Sequence, residues 1–112
     1  MATWVPIAEL DDVPPDGRRC FQHEDKKLVV FRVGDDVHVL EDFCPHVGAP
    51  LSEGKREALT IECPWHHVVY SLTTGAALSE PSWGPASRFP ARVVDGVIEI
   101  DWSKRRYPFP HP

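Results

Sequence analysis

"KLVVFRVGDDVHVLEDF", residues 27–43, decides the fold class. Two apolar, β-branched runs, Leu28 to Val33 and Val37 to Phe43, flank Gly34-Asp35-Asp36, which reads as strand, tight turn, strand. "ARVVDGVIEIDW", residues 91–102, repeats the arrangement around Asp95-Gly96, the dipeptide best suited to a type I′ hairpin. Working outward, "WVPIAEL" and "RRCFQHE" add two strands with "PPDG" turning between them, and "LTIEC" and "VVYSL" add two short ones around Pro64 to His67. No stretch keeps apolar residues at helical spacing over three turns, so the pattern predicts an all-β domain of short strands.

The chain has 112 residues, which suits one domain over residues 1–112 with a single modest core. Its 12 prolines and 7 glycines are spread among alternating apolar stretches, the composition of a loop-rich folded chain. A net charge of −5 argues against nucleic acid, because neutralising phosphates needs clustered Lys and Arg. It favours docking on a basic partner, with Glu41, Asp42 and Glu53 as the nearest acids. The N-terminus lacks a basic segment followed by an apolar one, and no run approaches the roughly 18 apolar residues of a spanning helix. The expectation is a soluble, cytoplasmic protein with no membrane partner. The prolines of "KRRYPFPHP" cannot continue a central strand, and Lys104-Arg105-Arg106 reads as a solvated face.

Between Phe43 and Pro90 Cys, His, Pro, Gly and Trp accumulate in turns flanking the short strands, the signature of a site built of loops on a β scaffold. Three cysteines, Cys20, Cys44 and Cys63, are an odd number without a secretion signal, so a disulfide framework is not expected. Cys44-Pro45-His46 and Cys63-Pro64-Trp65-His66 instead deliver two thiolates and two imidazoles in two compact loops, a four-ligand metal set. Zinc competes for that set, and a mononuclear tetrahedral site is geometrically possible. The usual zinc finger, however, pairs its cysteines together and its histidines on a helix. One Cys and one His per loop suits a binuclear iron cluster better.

"CPHVGAPLSEG" followed by "IECPWH" resembles the Rieske [2Fe–2S] motif, Cys-x-His and Cys-x-x-His, as carried by the small ferredoxins of bacterial ring-hydroxylating oxygenase systems. Gly48, Leu51, Gly54, Gly75 and the Pro81 to Pro85 loop fall where that family has its turn glycines and proline loop, and "RFPARVVDGVIEI" resembles its final hairpin. The resemblance implies antiparallel sheets with a cluster-binding subdomain inserted at about residues 43–88. It implies one [2Fe–2S] cluster, with Cys44 and Cys63 on the inner iron and His46 and His66 on the outer one. It further implies a one-electron carrier, not an enzyme, between a flavin-containing reductase and a terminal oxygenase, working as a monomer. The alternatives are the small Rieske subunit of an assimilatory nitrite reductase and, in another class, a zinc-stabilised binding module.

High-potential relatives carry a disulfide and a serine hydroxyl at the positions of Ala49, Trp65 and Val68, none of which can serve here. The resemblance therefore implies the low end of the Rieske range, around −150 mV. Tyr70 matches a tyrosine of the high-potential kind, but we read it first as a core aromatic of its strand. His67 stands where the family commonly has glycine, and reads as an exposed neighbour of the ligand His66. Pro45, Pro64, Trp65, Pro81, Trp83 and Pro85 are expected to enclose the cluster. Cys20 reads as a buried apolar residue, and His23, His38 and His111 as surface residues.

Overall fold

The computed structural model describes residues 2–45, 48–65, 67–79 and 85–104. Among the described residues ten strands form three antiparallel sheets: β1 (Trp4–Glu9), β2 (Arg18–His23), β3 (Lys26–Val33), β4 (Asp36–Glu41), β5 (Lys55–Glu57), β6 (Thr60–Glu62), β7 (Val69–Ser71), β8 (Arg88–Phe89), β9 (Ala91–Val94) and β10 (Val97–Asp101). The order is β2-β3-β4-β8 in the middle sheet, β1-β10-β9 in the first flanking sheet and β5-β6-β7 in the second. No described element is an α-helix, as the sequence predicts, and none is long and apolar enough to cross a membrane.

Strand β3 explains why its sequence is a continuous apolar run. Leu28 and Val30 point into one core with Val39, Phe89, Ile98 and Ile100, while Val29 and Phe31 point into another with Leu40, Cys44, Ile61, Cys63 and Tyr70. Both faces are covered, so alternation with polar residues disappears. Each such fully buried apolar side chain contributes about 1.5–3 kcal/mol relative to exposure.

Turn chemistry fixes the register. Val33 pairs with Asp36, leaving Gly34-Asp35 as a two-residue turn, one residue shorter than the sequence suggests, with Gly34 at φ +63°. Val94 pairs with Val97 across Asp95 (φ +51°) and Gly96 (φ +79°), both positive as a type I′ turn requires. β2 does not pair with β1 across "PPDG". Its partner is β3, through Glu24-Asp25, and β1 pairs with β10 at the other end of the chain. Strands β5 and β8, of three and two residues, have too little apolar pattern to be seen in the sequence.

Three expectations about single residues change. Cys20 is exposed, because β2 is the edge strand of its sheet and Cys20 lies on a lightly covered face. His23 and His38 are partly buried: His23 meets the ring of Trp102 edge-on at 4.5 Å between centroids, and His38 sits in the β4 row beside Phe31. His111 and Arg105–Arg106 lie outside the described residues, and Trp102–Lys104 forms a 3₁₀ turn.

Candidate metal centre

Cys44 ends the segment that leaves β4, and Cys63 directly follows β6. Their two loops close in the same way. The Cys44 amide donates to the Ala49 carbonyl (2.8 Å) and the Gly48 amide to the Cys44 carbonyl (2.7 Å). In the second loop the Cys63 amide donates to the Val68 carbonyl (2.8 Å) and the His67 amide to the Cys63 carbonyl (3.0 Å). This is the pairing of a bulge whose first residue is left-handed, and Gly48 (φ +78°) and His67 (φ +59°) supply that residue. A six-residue turn is thereby pinned at both ends, with a cysteine at its start and a buried small or branched residue, Ala49 or Val68, at its close.

Both cysteines are fully buried in the same apolar cluster, with Leu51, Ile61, Val68 and Leu72 around them, and no disulfide links them. The Tyr70 hydroxyl lies 3.5 Å from the Cys44 sulfur. Burial first, and this contact second, push the Tyr70 pKa up, so the hydroxyl keeps its proton and donates once the sulfur is a thiolate. The reading of Tyr70 as a plain core aromatic is therefore incomplete: it packs in the core and also reaches a sulfur.

His67 is exposed as expected, and its Nδ1 lies 2.7 Å from Glu62 Oε2. Trp65 does not enclose anything on the described side: it is 62% exposed, because it stands at the tip of the turn. Pro45 is buried, Pro64 half-buried and Pro85 exposed, while Pro81 and Trp83 lie outside the described residues. Two of the three acids near the first loop are already engaged. Glu41 pairs with Lys26 at 3.4 Å, and Asp42 accepts from the Ser52 amide (2.6 Å) and hydroxyl (2.7 Å). Glu53 is exposed.

A Cβ at Gly54 would collide with the carbonyl oxygen of Glu62, so the chain after the first loop must run against the strand that leads into the second. Leu51–Glu53 forms a 3₁₀ turn just before that contact. Backbone contact between the two loop supports thus sets where Cys63 stands relative to Cys44. His46 and His66, the imidazoles of the sequence motif, lie outside the described residues. Two buried thiols in dry, apolar surroundings with a hydroxyl aimed at one of them fit a thiolate-held cluster.

The Rieske [2Fe–2S] domain pattern matches residues 3–90. The chain belongs to the Rieske [2Fe–2S] family. It is similar to the anthranilate 1,2-dioxygenase ferredoxin subunit of Burkholderia cepacia, 35% identical over 101 residues covering 90% of this chain and 94% of that one. Ferredoxin CarAc of Metapseudomonas resinovorans is 33% identical over 103 residues, 91% and 96% of the two chains. Among solved structures, the ferredoxin of carbazole 1,9a-dioxygenase from Nocardioides aromaticivorans superposes with a TM-score of 0.80 at 31% identity, covering 88% and 97%. A chain from the complex of reduced oxygenase and oxidised ferredoxin in carbazole 1,9a-dioxygenase gives 0.81 at 30% identity, covering 96% and 99%. The Rieske protein described here is therefore a ferredoxin-type electron carrier with one [2Fe–2S] cluster, an electron-transfer component and not a catalytic one. The zinc-module reading falls away with that result.

Proposed function

We propose that this Rieske ferredoxin takes electrons from a flavin-containing reductase and delivers them to the terminal oxygenase of an aromatic-ring dioxygenase or related monooxygenase system. Cys44 and Cys63 hold the inner iron of the cluster, and His46 and His66 the outer iron. Residues 43–88 act as a cluster-binding subdomain of a single domain, 1–112, which works as a cytoplasmic monomer. The observation that carries the ligand assignment is the matched closure of the two loops, each beginning with a fully buried cysteine. When bound, the cluster takes up and releases one electron, at a potential raised by its two neutral imidazoles.

The protein's own residues do the rest. Leu51, Ile61, Val68 and Leu72 keep water from the sulfurs, and Tyr70 donates to Cys44. With no hydroxyl at Val68 and no disulfide partners at Ala49 and Trp65, that donor stands without the others of high-potential relatives, and the potential lies near the low end of the range, about −150 mV. A ferredoxin assignment is favoured over the nitrite reductase subunit by the dioxygenase ferredoxin relatives.

The test compares two adjacent histidines. His66→Ala should yield protein without the red-brown Rieske spectrum, while His67→Ala should keep the spectrum and still support turnover with a reductase and an oxygenase. The reverse pattern would reassign the ligand. A spectrum retained by both variants would remove the second loop's histidines from the cluster altogether.

A further inference from the structure

Arg18 and Arg56 bring two positive charges to the seam between the middle sheet and the β5-β6-β7 sheet. Neither forms an ion pair among the described residues. Arg18 opens β2 opposite Phe31, which is fully buried, and the guanidinium carbons of Arg18 and Arg56 each lie 6.0 Å from the Phe31 ring centroid. Arg56 reaches in from β5 and is held by the backbone oxygens of Asp16, Gly17, Arg32 and Ala58 at 2.7–3.3 Å. Its position is fixed by carbonyls, which leave its charge uncompensated.

Arg18 differs. Among the described residues its side chain makes no hydrogen bond, and its Nη1 is closed off from solvent without an acceptor. A guanidinium is permanently charged and offers five donors. Nη1 is sealed inside the protein, but the remaining guanidinium nitrogens, unclaimed by any described protein acceptor, stay open to the cavity side, where an anion can reach them. Both arginines line one cavity of about 540 Å³, whose other walls are Asp16, Gly17 and the apolar Val33, Ala58 and Leu59. Asp16 brings the one carboxylate among these walls, and its Oδ1 faces the Gly34 amide at 3.4 Å.

We propose that this cavity binds a small organic carboxylate, with its anionic end on Arg18 beside Arg56 and its apolar body against Val33, Ala58 and Leu59. The recognition is chemical: a planar fork matches a carboxylate in a way that a point charge does not. The site is separate from the cysteine loops, since its walls come from the β2 start, the β3 end and the β5–β6 turn. Those walls belong to two sheets, so an occupant would also tie the middle sheet to the sheet that leads into Cys63.

The experiment titrates the cluster-loaded protein, isotopically labelled, with benzoate and separately with uncharged benzamide, following the amide signals of Gly17, Ala58 and Leu59. Benzoate should give saturable shifts and raise the melting temperature, whereas benzamide should do neither. Arg18→Gln should weaken benzoate by about tenfold or more, the loss expected for a charge-assisted pair, while leaving the visible spectrum of the cluster unchanged. If that variant does not fold, the wild-type melting shift with benzoate against benzamide still decides. Absence of saturable benzoate shifts, equal response to benzamide, or unchanged affinity in a folded Arg18→Gln protein would each overturn the proposal.

Discussion

The loop from Cys44 to Ala49 and the loop from Cys63 to Val68 close with the same pair of backbone hydrogen bonds, yet one places glycine at the left-handed position and the other places histidine. The conformational demand is common to both. The space around it is not: a Cβ on Gly48 would lie 3.2 Å from the Phe43 ring, whereas the His67 side chain is 74% exposed and meets Glu62. The difference teaches that glycine is needed where left-handed backbone and close packing coincide. Where the same backbone faces solvent, a side chain is tolerated at modest strain and is free to make a surface contact.

The strongest way to break this pairing is to separate the supports of the two loops. Gly54→Ala sets a methyl group against the Glu62 carbonyl, a collision with backbone that no side-chain rotation relieves. The expected outcome is loss of cluster-loaded protein, read as iron content and visible absorbance in the purified variant. Next comes Gly48→Ala, which should lower stability by about 1–2 kcal/mol from left-handed backbone alone, with the Phe43 contact adding to it. Chemical denaturation of the cluster-loaded variant measures it.

Tyr70→Phe sharpens the comparison differently, because the hydroxyl reaches the first loop's sulfur. Removing that donor should lower the midpoint potential by some tens of millivolts, on the scale where about 59 mV corresponds to 1.4 kcal/mol for one electron; voltammetry on matched samples checks the sign. The smallest effect is expected from His67→Gly. Relief of left-handed strain opposes greater freedom of the unfolded chain and loss of an exposed contact, so stability should rise by no more than about 1 kcal/mol. A loss larger than that would show that the His67–Glu62 contact does more than decorate the turn.

The hairpins around Gly34 and Asp95-Gly96 were legible because turn residues with special backbone freedom sit between β-branched runs. The two cysteine loops stood out because proline follows each cysteine and a histidine comes at short spacing, and the structure buries Cys44 and Cys63 in one core. The common closure of the loops was not, since the Cys-x-His and Cys-x-x-His spacings differ and the left-handed residues, Gly48 and His67, share no chemistry. Tyr70 was underestimated for a related reason: an aromatic in a strand looks the same whether or not its hydroxyl finds a sulfur 26 residues away in sequence. The pairing of β1 with β10 depends on chain ends meeting, which no local window contains. Cys20 misled because edge exposure is a property of the sheet order and not of the strand's own composition.

Strand β3, covered on both faces, has a kinetic consequence. Its amides are sealed by two separate cores, so opening of the β5-β6-β7 sheet alone uncovers only one side of it, and opening of the β1-β10-β9 sheet only the other. Deuterium should enter the Leu28 to Phe31 backbone last, through whole-molecule unfolding, while the cysteine-bearing half exchanges earlier as its own cooperative unit. The half that carries Cys44 and Cys63 can then breathe while the strand beneath it stays shut.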